Sequence, residues 1–299
     1  MIEEERRRII LKADDRGNQE AICEGIDYLV EQGFLTDVAI IIQWTGSRER
    51  DLLLEAISRS PLRNEPGIGI ILHVNLVSGE PLSDPKDIPS LVDTNGFLIR
   101  PAVTTRTAWQ DYTKNLVPDQ VRREIEAQIN RFTEVFGHLP HALDSHHMIL
   151  AAPPADEIAM EIALDMRVPI TVPKTYTDEL TKGPFSDVFE VDRELLQKYH
   201  NLGISTVDWE EVEYWNRLNK LEDSVSRFVN ALLSVKPGIT SFFFHPGHPD
   251  YLGKVDERFD RGRIRDFQIL THPKVRQAIA SLTLTSYWQL FNLAQQAKR

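Results

Sequence analysis

The chain has 299 residues, 41% hydrophobic and 26% charged, which is enough to build one barrel domain or two ordinary domains around a sizeable core. A formal charge of −11 argues against non-specific binding to nucleic acid or an anionic membrane, and suits a neutral or cationic small ligand. Cys23 is the only cysteine, which excludes an intrachain disulfide and a thiolate metal cluster.

Residues 8–12 read as a first strand, apolar and followed at once by Asp14, Asp15 and Gly17. Residues 18–32 place Ile22, Ile26, Leu29 and Val30 at helical spacing, with Gly33 as the stop. A buried second strand over 38–43 leads into Trp44-Thr45-Gly46. A helix over 48–59 ends at Ser60-Pro61, and a third strand covers 68–75. Strand, helix, strand, helix, strand is the rhythm of a parallel sheet with crossover helices.

The rhythm breaks over 78–117, where Pro81, Pro85, Pro89 and Pro101 alternate with Gly79 and Gly96. Long irregular insertions in compact domains usually serve function, so this one is expected to be a lid or wall over a site. A helix over 118–136 follows, with Pro118 at its start and Gly137 at its end. The remaining expected elements are strands at 141–143, 168–172, 188–191, 239–244 and 283–285, with helices over 155–166, 218–235, 264–270, 273–281 and 288–298. No repeat or linker divides residues 1–299, so a single domain is expected.

The longest apolar runs, 38–42 and 68–72, are far too short for a membrane span. The opening run Glu3-Glu4-Glu5-Arg6-Arg7-Arg8 lacks the apolar core of a signal peptide and reads as a solvated end. A cytoplasmic protein is therefore expected, with assembly into a homo-oligomer left open.

Four apolar, strand-like runs deliver acids or imidazoles at their carboxyl ends: Asp14-Asp15, His73, Asp144-Ser145-His146-His147 and His245-Pro246-Gly247-His248. In a parallel α/β architecture those ends share one face. Each group alone has an ordinary structural explanation. Asp14-Asp15 suits a helix N-cap, His73 a core position, and the late pair a tight turn. Together, carboxylates and imidazoles on one face point to a site for a divalent cation.

The same stretches carry a family resemblance. Ala13-Asp14-Asp15-Arg16-Gly17 ends the first strand, and Leu72-His73-Val74-Asn75-Leu76 with Gly79-Glu80-Pro81-Leu82 ends the third. Then come Gly137-His138-Leu139-Pro140-His141-Ala142-Leu143-Asp144-Ser145-His146-His147 and the late His245-Pro246-Gly247. In order and spacing the chain resembles the YdjC-like carbohydrate deacetylases, the group that includes chitooligosaccharide deacetylase and hopanoid-associated sugar deacetylases. The resemblance implies a deformed (β/α) TIM-like barrel that removes N-acetyl groups from amino sugars or small oligosaccharides with one divalent ion, magnesium or zinc. It further implies Asp15, His73 and His146 as metal ligands and Asp14 as general base. His245 would protonate the leaving amine or stabilise the oxyanion, a role borrowed from the related polysaccharide deacetylases.

Asp144 is the expected partner that orients a ligand imidazole. His147 and His248 are candidates to line the pocket, and Trp44, Trp109 and Tyr112 are candidates to stack on a sugar. The chain departs from the family pattern at Lys12, Arg16 and Ile71, in Met148-Ile149-Leu150, and in Val172-Pro173-Lys174, where an arginine is common. Two rival readings stand beside the deacetylase: a sugar- or metal-binding protein of the same fold without turnover, and a different metal-dependent hydrolase.

Overall fold

The computed structural model describes residues 7–101, 111–171, 175–176, 197–198, 200–202, 204, 206–211, 220–250 and 257–296. The architecture grows from β1, Arg7–Arg16, whose Ile9, Ile10 and Leu11 are buried on both faces as a central parallel strand requires. One edge of β1 pairs along Arg7–Ala13 with β7, Gly238–Phe244. The other edge is shared. Its upper part takes β2, Asp37–Ile40, and its lower part, at Arg8 and Ile9, takes the short β8, Thr283–Leu284.

From β2 the sheet continues through β3, Gly69–Val74, to β4, Leu143–Ser145, and from β7 through β6, Trp209–Glu211, to β5, Thr175–Tyr176. All these pairings are parallel. Ile170 bridges Leu143 of β4, and Thr175, five residues on, pairs with Trp209 of β6. The same short segment meets both ends of the sheet, so the sheet closes into a deformed (β/α) barrel. The fifth strand expected at 168–172 is thus only an isolated bridge at its centre, with the ladder at 175–176. The strand expected at 188–191 lies outside the described residues.

Strand alternation explains how the interior is filled. Ile10, Ala39, Ile71, Ala142, Val207 and Ile239 form one apolar cluster with Tyr287 and Leu290, which the closing helix Tyr287–Gln296 supplies. Their sequence neighbours Ile9, Leu11, Val38, Ile40, Ile70 and Leu72 belong to the larger cluster shared with the outer helices. Two residues beyond three of these interior positions, on the same face, stand Lys12 after Ile10, His73 after Ile71 and Asp144 after Ala142. Period-two geometry therefore stacks the polar layer directly on the apolar one.

The described part of the 78–117 insertion is pinned rather than loose. Glu124, buried in the helix Pro118–Phe136, accepts from the backbone N–H groups of Leu82 and Ser83 at 3.1 and 2.9 Å, and Gln120 accepts from Ser90 N–H at 2.8 Å. Ile88, Leu91 and Leu98 join the core. Residues 102–110, with Trp109, lie outside the described residues. Among the described residues no helix is long and apolar enough to cross a membrane.

Candidate active site

Asp14 and Asp15 lie within β1, not at the cap of the helix Glu20–Glu31, whose N-cap is Gln19. Adjacent strand residues normally face opposite sides. Here the pairing of β1 with β2 slips between Ala13 and Arg16, and Asp15 adopts φ +69°, in the left-handed region. Such a bulge re-aims a side chain, so both carboxylates serve one site. Gly17 then turns the chain at φ +103°, where a Cβ would meet Ile41 O at 2.7 Å.

His73 and Asp144 are ladder partners on β3 and β4, and His73 Nδ1 lies 2.9 Å from Asp144 Oδ2. The other imidazole nitrogen, Nε2, is 3.5 Å from Asp15 Oδ1. His146 follows β4 at the head of a short 3-10 segment, His146–Ala151, in which His147 and Met148 are left-handed at φ +55° and +56°. That turn brings His146 Nδ1 to 2.9 Å from Asp15 Oδ1. One ligand atom each from Asp15, His73 and His146 lies within 4.8 Å of the others, so the three residues expected to be ligands do meet.

Among the described residues, the buried atoms Asp15 Oδ1, His73 Nε2 and Asp14 Oδ1 form no hydrogen bond of good geometry, although Asp15 Oδ1 lies 2.9 Å from His146 Nδ1 and Asp14 Oδ1 lies 3.2 Å from Lys12 Nζ. Buried polar atoms are nearly always satisfied, and carboxylate and imidazole atoms that crowd together without forming good hydrogen bonds suit a cation site. Neutral imidazole with carboxylate also suits such an ion chemically. The residues fit a divalent metal.

Burial pushes the Asp15 carboxyl up, but its contacts to His146 and His73 more than offset this and hold it well below the usual range. Asp14 is raised to about 6, chiefly by burial, with Lys12 opposing. Asp144 is also pushed up by burial, yet the Lys12 and His73 charges hold it far below the ordinary carboxylate range. Desolvation lowers His73, but the Asp144 charge and hydrogen bond outweigh it and raise the ring to about 10. His245 moves the other way, down to about 3, mainly because it is buried.

Sequence reasoning missed three contributors. Lys12, 2% exposed, places Nζ 2.5 Å from Asp144 Oδ2 and 3.2 Å from Asp14 Oδ1. Arg263, from the helix Glu257–Thr271, donates from Nη2 to Asp15 Oδ2 at 2.5 Å. Thr171 donates to Asp144 Oδ1 at 2.5 Å. A lone lysine inside an apolar strand was a usable signal, because such a charge needs a buried partner. Arg263 and Thr171 gave none.

The remaining candidates divide. His245 stands at the end of β7, its N–H donating to Asp266 Oδ2 at 2.9 Å and its ring close enough to feel the Asp15 charge. His147 is exposed, its ring 4.2 Å from that of His146. His248 is not part of the cluster. Its ring packs against Tyr28 and Phe267, and its N–H donates to Ala21 O, so it joins two outer helices. Trp44 is half-buried against Gly79, where an added Cβ would lie 2.5 Å from the indole, so it anchors the insertion. Tyr112 is turned inward and donates to Leu76 O, which removes it as a sugar platform. Arg16, fully buried, forks onto Asp27 at 2.7 and 2.8 Å and points away from the cluster.

A closed parallel barrel with a histidine–carboxylate cluster at the strand carboxyl ends defines an α/β-barrel protein with a candidate metal centre. The chain belongs to the YdjC-like protein family, whose profile matches residues 8–281. It is 28% identical over 226 residues to a protein named carbohydrate deacetylase from Brevibacillus brevis, covering 73% of this chain and 84% of that one. A chitooligosaccharide deacetylase from Proteus mirabilis is 26% identical over 282 residues, 91% of this chain and 93% of that one. A crystal structure from Enterococcus faecalis, described in terms of cellobiose-phosphate cleavage, shares the fold with a TM-score of 0.68 at 20% identity, covering 95% and 99% of the two chains.

Proposed function

We propose that this protein is a metal-dependent hydrolase that removes N-acetyl groups from amino sugars or small oligosaccharides. The carrying observation is the convergence of Asp15, His73 and His146 beside a second buried carboxylate, Asp14. Membership in the YdjC-like family and the names of its relatives support the same reading. The proposed setting is the cytoplasm, with the described part of the 78–117 insertion forming a wall beside the substrate.

Asp15, His73 and His146 would hold the ion, which when bound supplies a more acidic water and a polarised carbonyl. Asp14, raised to about 6, is ionised at neutral pH yet basic enough to take the proton from the attacking water. Asp144 fixes the His73 ring by accepting from Nδ1, leaving Nε2 for the ion. His245, held neutral by burial, is suited to donate an N–H to the developing oxyanion, the second of the two roles considered for it.

Acetate release from N-acetylated mono- and oligosaccharides, with magnesium or zinc and after chelation, tests this. Chelator-sensitive release is expected. Saturable sugar binding with no acetate would favour the non-catalytic reading, and two ions per chain would favour a different metal hydrolase.

A further inference from the structure

Lys12 and Asp144 sit on strands that are not neighbours, since β2 and β3 lie between β1 and β4. The lysine therefore crosses the barrel interior, above the plug formed by Ile10 and Ile71, to reach Asp144 Oδ2 at 2.5 Å. On the way it passes Asp14 Oδ1 at 3.2 Å, two residues along the same strand, and its ammonium lies 5.8 Å from the centre of the Phe243 ring. Lys12, Asp14 and Asp144 are 2%, 5% and 6% exposed, so water screens little of this interaction.

We propose that Lys12 is a positioning residue: its ammonium clamps Asp14 in the place where it acts as base, and does so at the expense of metal affinity. This inference rests on the deacetylase reading. Two buried carboxylates beside a third, Asp15, repel one another, and a shared cation is what lets Asp14 and Asp144 face each other. The cost falls on His73. Asp144 orients that ring by accepting from Nδ1, and an oriented, hydrogen-bonded imidazole is the stronger ligand at its other nitrogen. The ammonium draws on the same Asp144 oxygen, so less of its charge reaches the ring. A fixed positive charge near the centre also opposes a divalent ion directly.

Lys12→Met keeps most of the length and removes the charge. Its kcat for acetate release should fall about tenfold to a hundredfold with KM within roughly twofold, as expected when a reacting group is misplaced. In calorimetric titration of the metal-free protein with zinc at pH 8, the same variant should bind roughly tenfold more tightly than the wild type. Simple packing damage would weaken both, so opposite movements are the signature. Lys12→Arg should return both values toward the wild type.

Zinc affinity that is unchanged or weaker in Lys12→Met, or a kcat within twofold of the wild type, overturns the proposal. If Lys12→Met does not fold, as judged by circular dichroism, Lys12→Gln carries the same two readouts. Absence of acetate release by the wild type would overturn the deacetylase reading and with it the clamp on a base. The titration would still decide separately whether Lys12 restrains the ion.

Discussion

At the amino ends of β2 to β4, Asp37 and His141 are buried; at the carboxyl ends of β1, β3 and β4, Asp14, Asp15, His73 and Asp144 are buried too. The lower groups accept from neutral donors. Asp37 accepts from the Thr36 hydroxyl at 2.7 Å and from Tyr287 N–H at 2.8 Å, and His141 Nδ1 accepts from Ile70 N–H at 2.9 Å. Burial accordingly drives both toward their neutral forms, Asp37 up to about 7 and His141 down to about 3. The upper groups are held by charges, Lys12 and Arg263 among them. The lower end uses polar groups to lock the closing helix onto the sheet, while the upper end keeps charge in place for use.

The largest expected effects separate the two ends directly. Asp14→Asn should lower kcat by roughly 10²–10⁴-fold while one metal ion stays bound, the usual cost of losing a general base. His73→Ala or His146→Ala should lose the ion together with all activity. Asp37→Asn, at the opposite end, should leave kcat and metal content unchanged. Acetate assays with elemental analysis of each purified variant check this, and near-native turnover by Asp14→Asn would remove Asp14 from its role.

Metal binding should depend steeply on pH. With His73 raised to about 10, the metal-free ring carries both protons at neutral pH, and ligation must displace the one on Nε2. Affinity should fall by about tenfold for each unit of decreasing pH, accompanied by release of about one proton per ion. Zinc titrations at pH 6, 7 and 8 in buffers of different ionisation enthalpy measure both. An affinity independent of pH would show that Asp144 does not hold His73 protonated.

The lower end should titrate through stability instead. The unfolded Asp37 ionises near 3.8 and the folded one near 7, so the folded chain retains a proton that the unfolded chain has lost between those values. Stability from this group is complete below pH 4 and declines as pH rises through 7, by up to about 4 kcal/mol before any relaxation. His141 has the opposite slope: its contribution is complete above about 6.5 and is lost as pH falls toward 3. Urea unfolding of the wild type and Asp37→Asn from pH 5 to 8 separates the two, and identical slopes would refute the Asp37 assignment.

The upper end was the more legible in the sequence, for a simple reason. Apolar strands that stop at an acid or imidazole announce themselves, and period-two geometry in a parallel sheet does the rest for His73 and Asp144. The same rule explains where reading failed. His248 lies beyond Pro246 and Gly247, where the chain has left the strand and alternation no longer fixes which way a side chain points. Arg263 sits on a helix whose inward face could not be known before that helix was docked. Asp37 precedes the apolar run of β2, and only the closing helix, some 250 residues away in sequence, explains its burial. Lys12 was visible as a departure from the family pattern, but its partner across the barrel was not.

Asp144 gives the finest test of the contrast, because it is a group of the upper end that touches no reacting atom in the proposed mechanism. It accepts from Lys12, His73 and Thr171, which makes it the best-satisfied carboxylate of the cluster. Asp144→Asn keeps the shape and can still accept at one oxygen, but it no longer balances the lysine or strengthens His73. Metal affinity should therefore weaken by about 10–100-fold, the usual consequence of losing an outer partner to a ligand imidazole. Thermal stability should drop as well, since the buried ammonium loses its shorter ion pair and keeps the longer contact to Asp14. Loss of both properties together is what a held charge predicts, measured by zinc titration and thermal melting of one variant. If instead Asp144→Asn melts like the wild type, Asp144 is no more than a neutral acceptor of the kind found at the lower end.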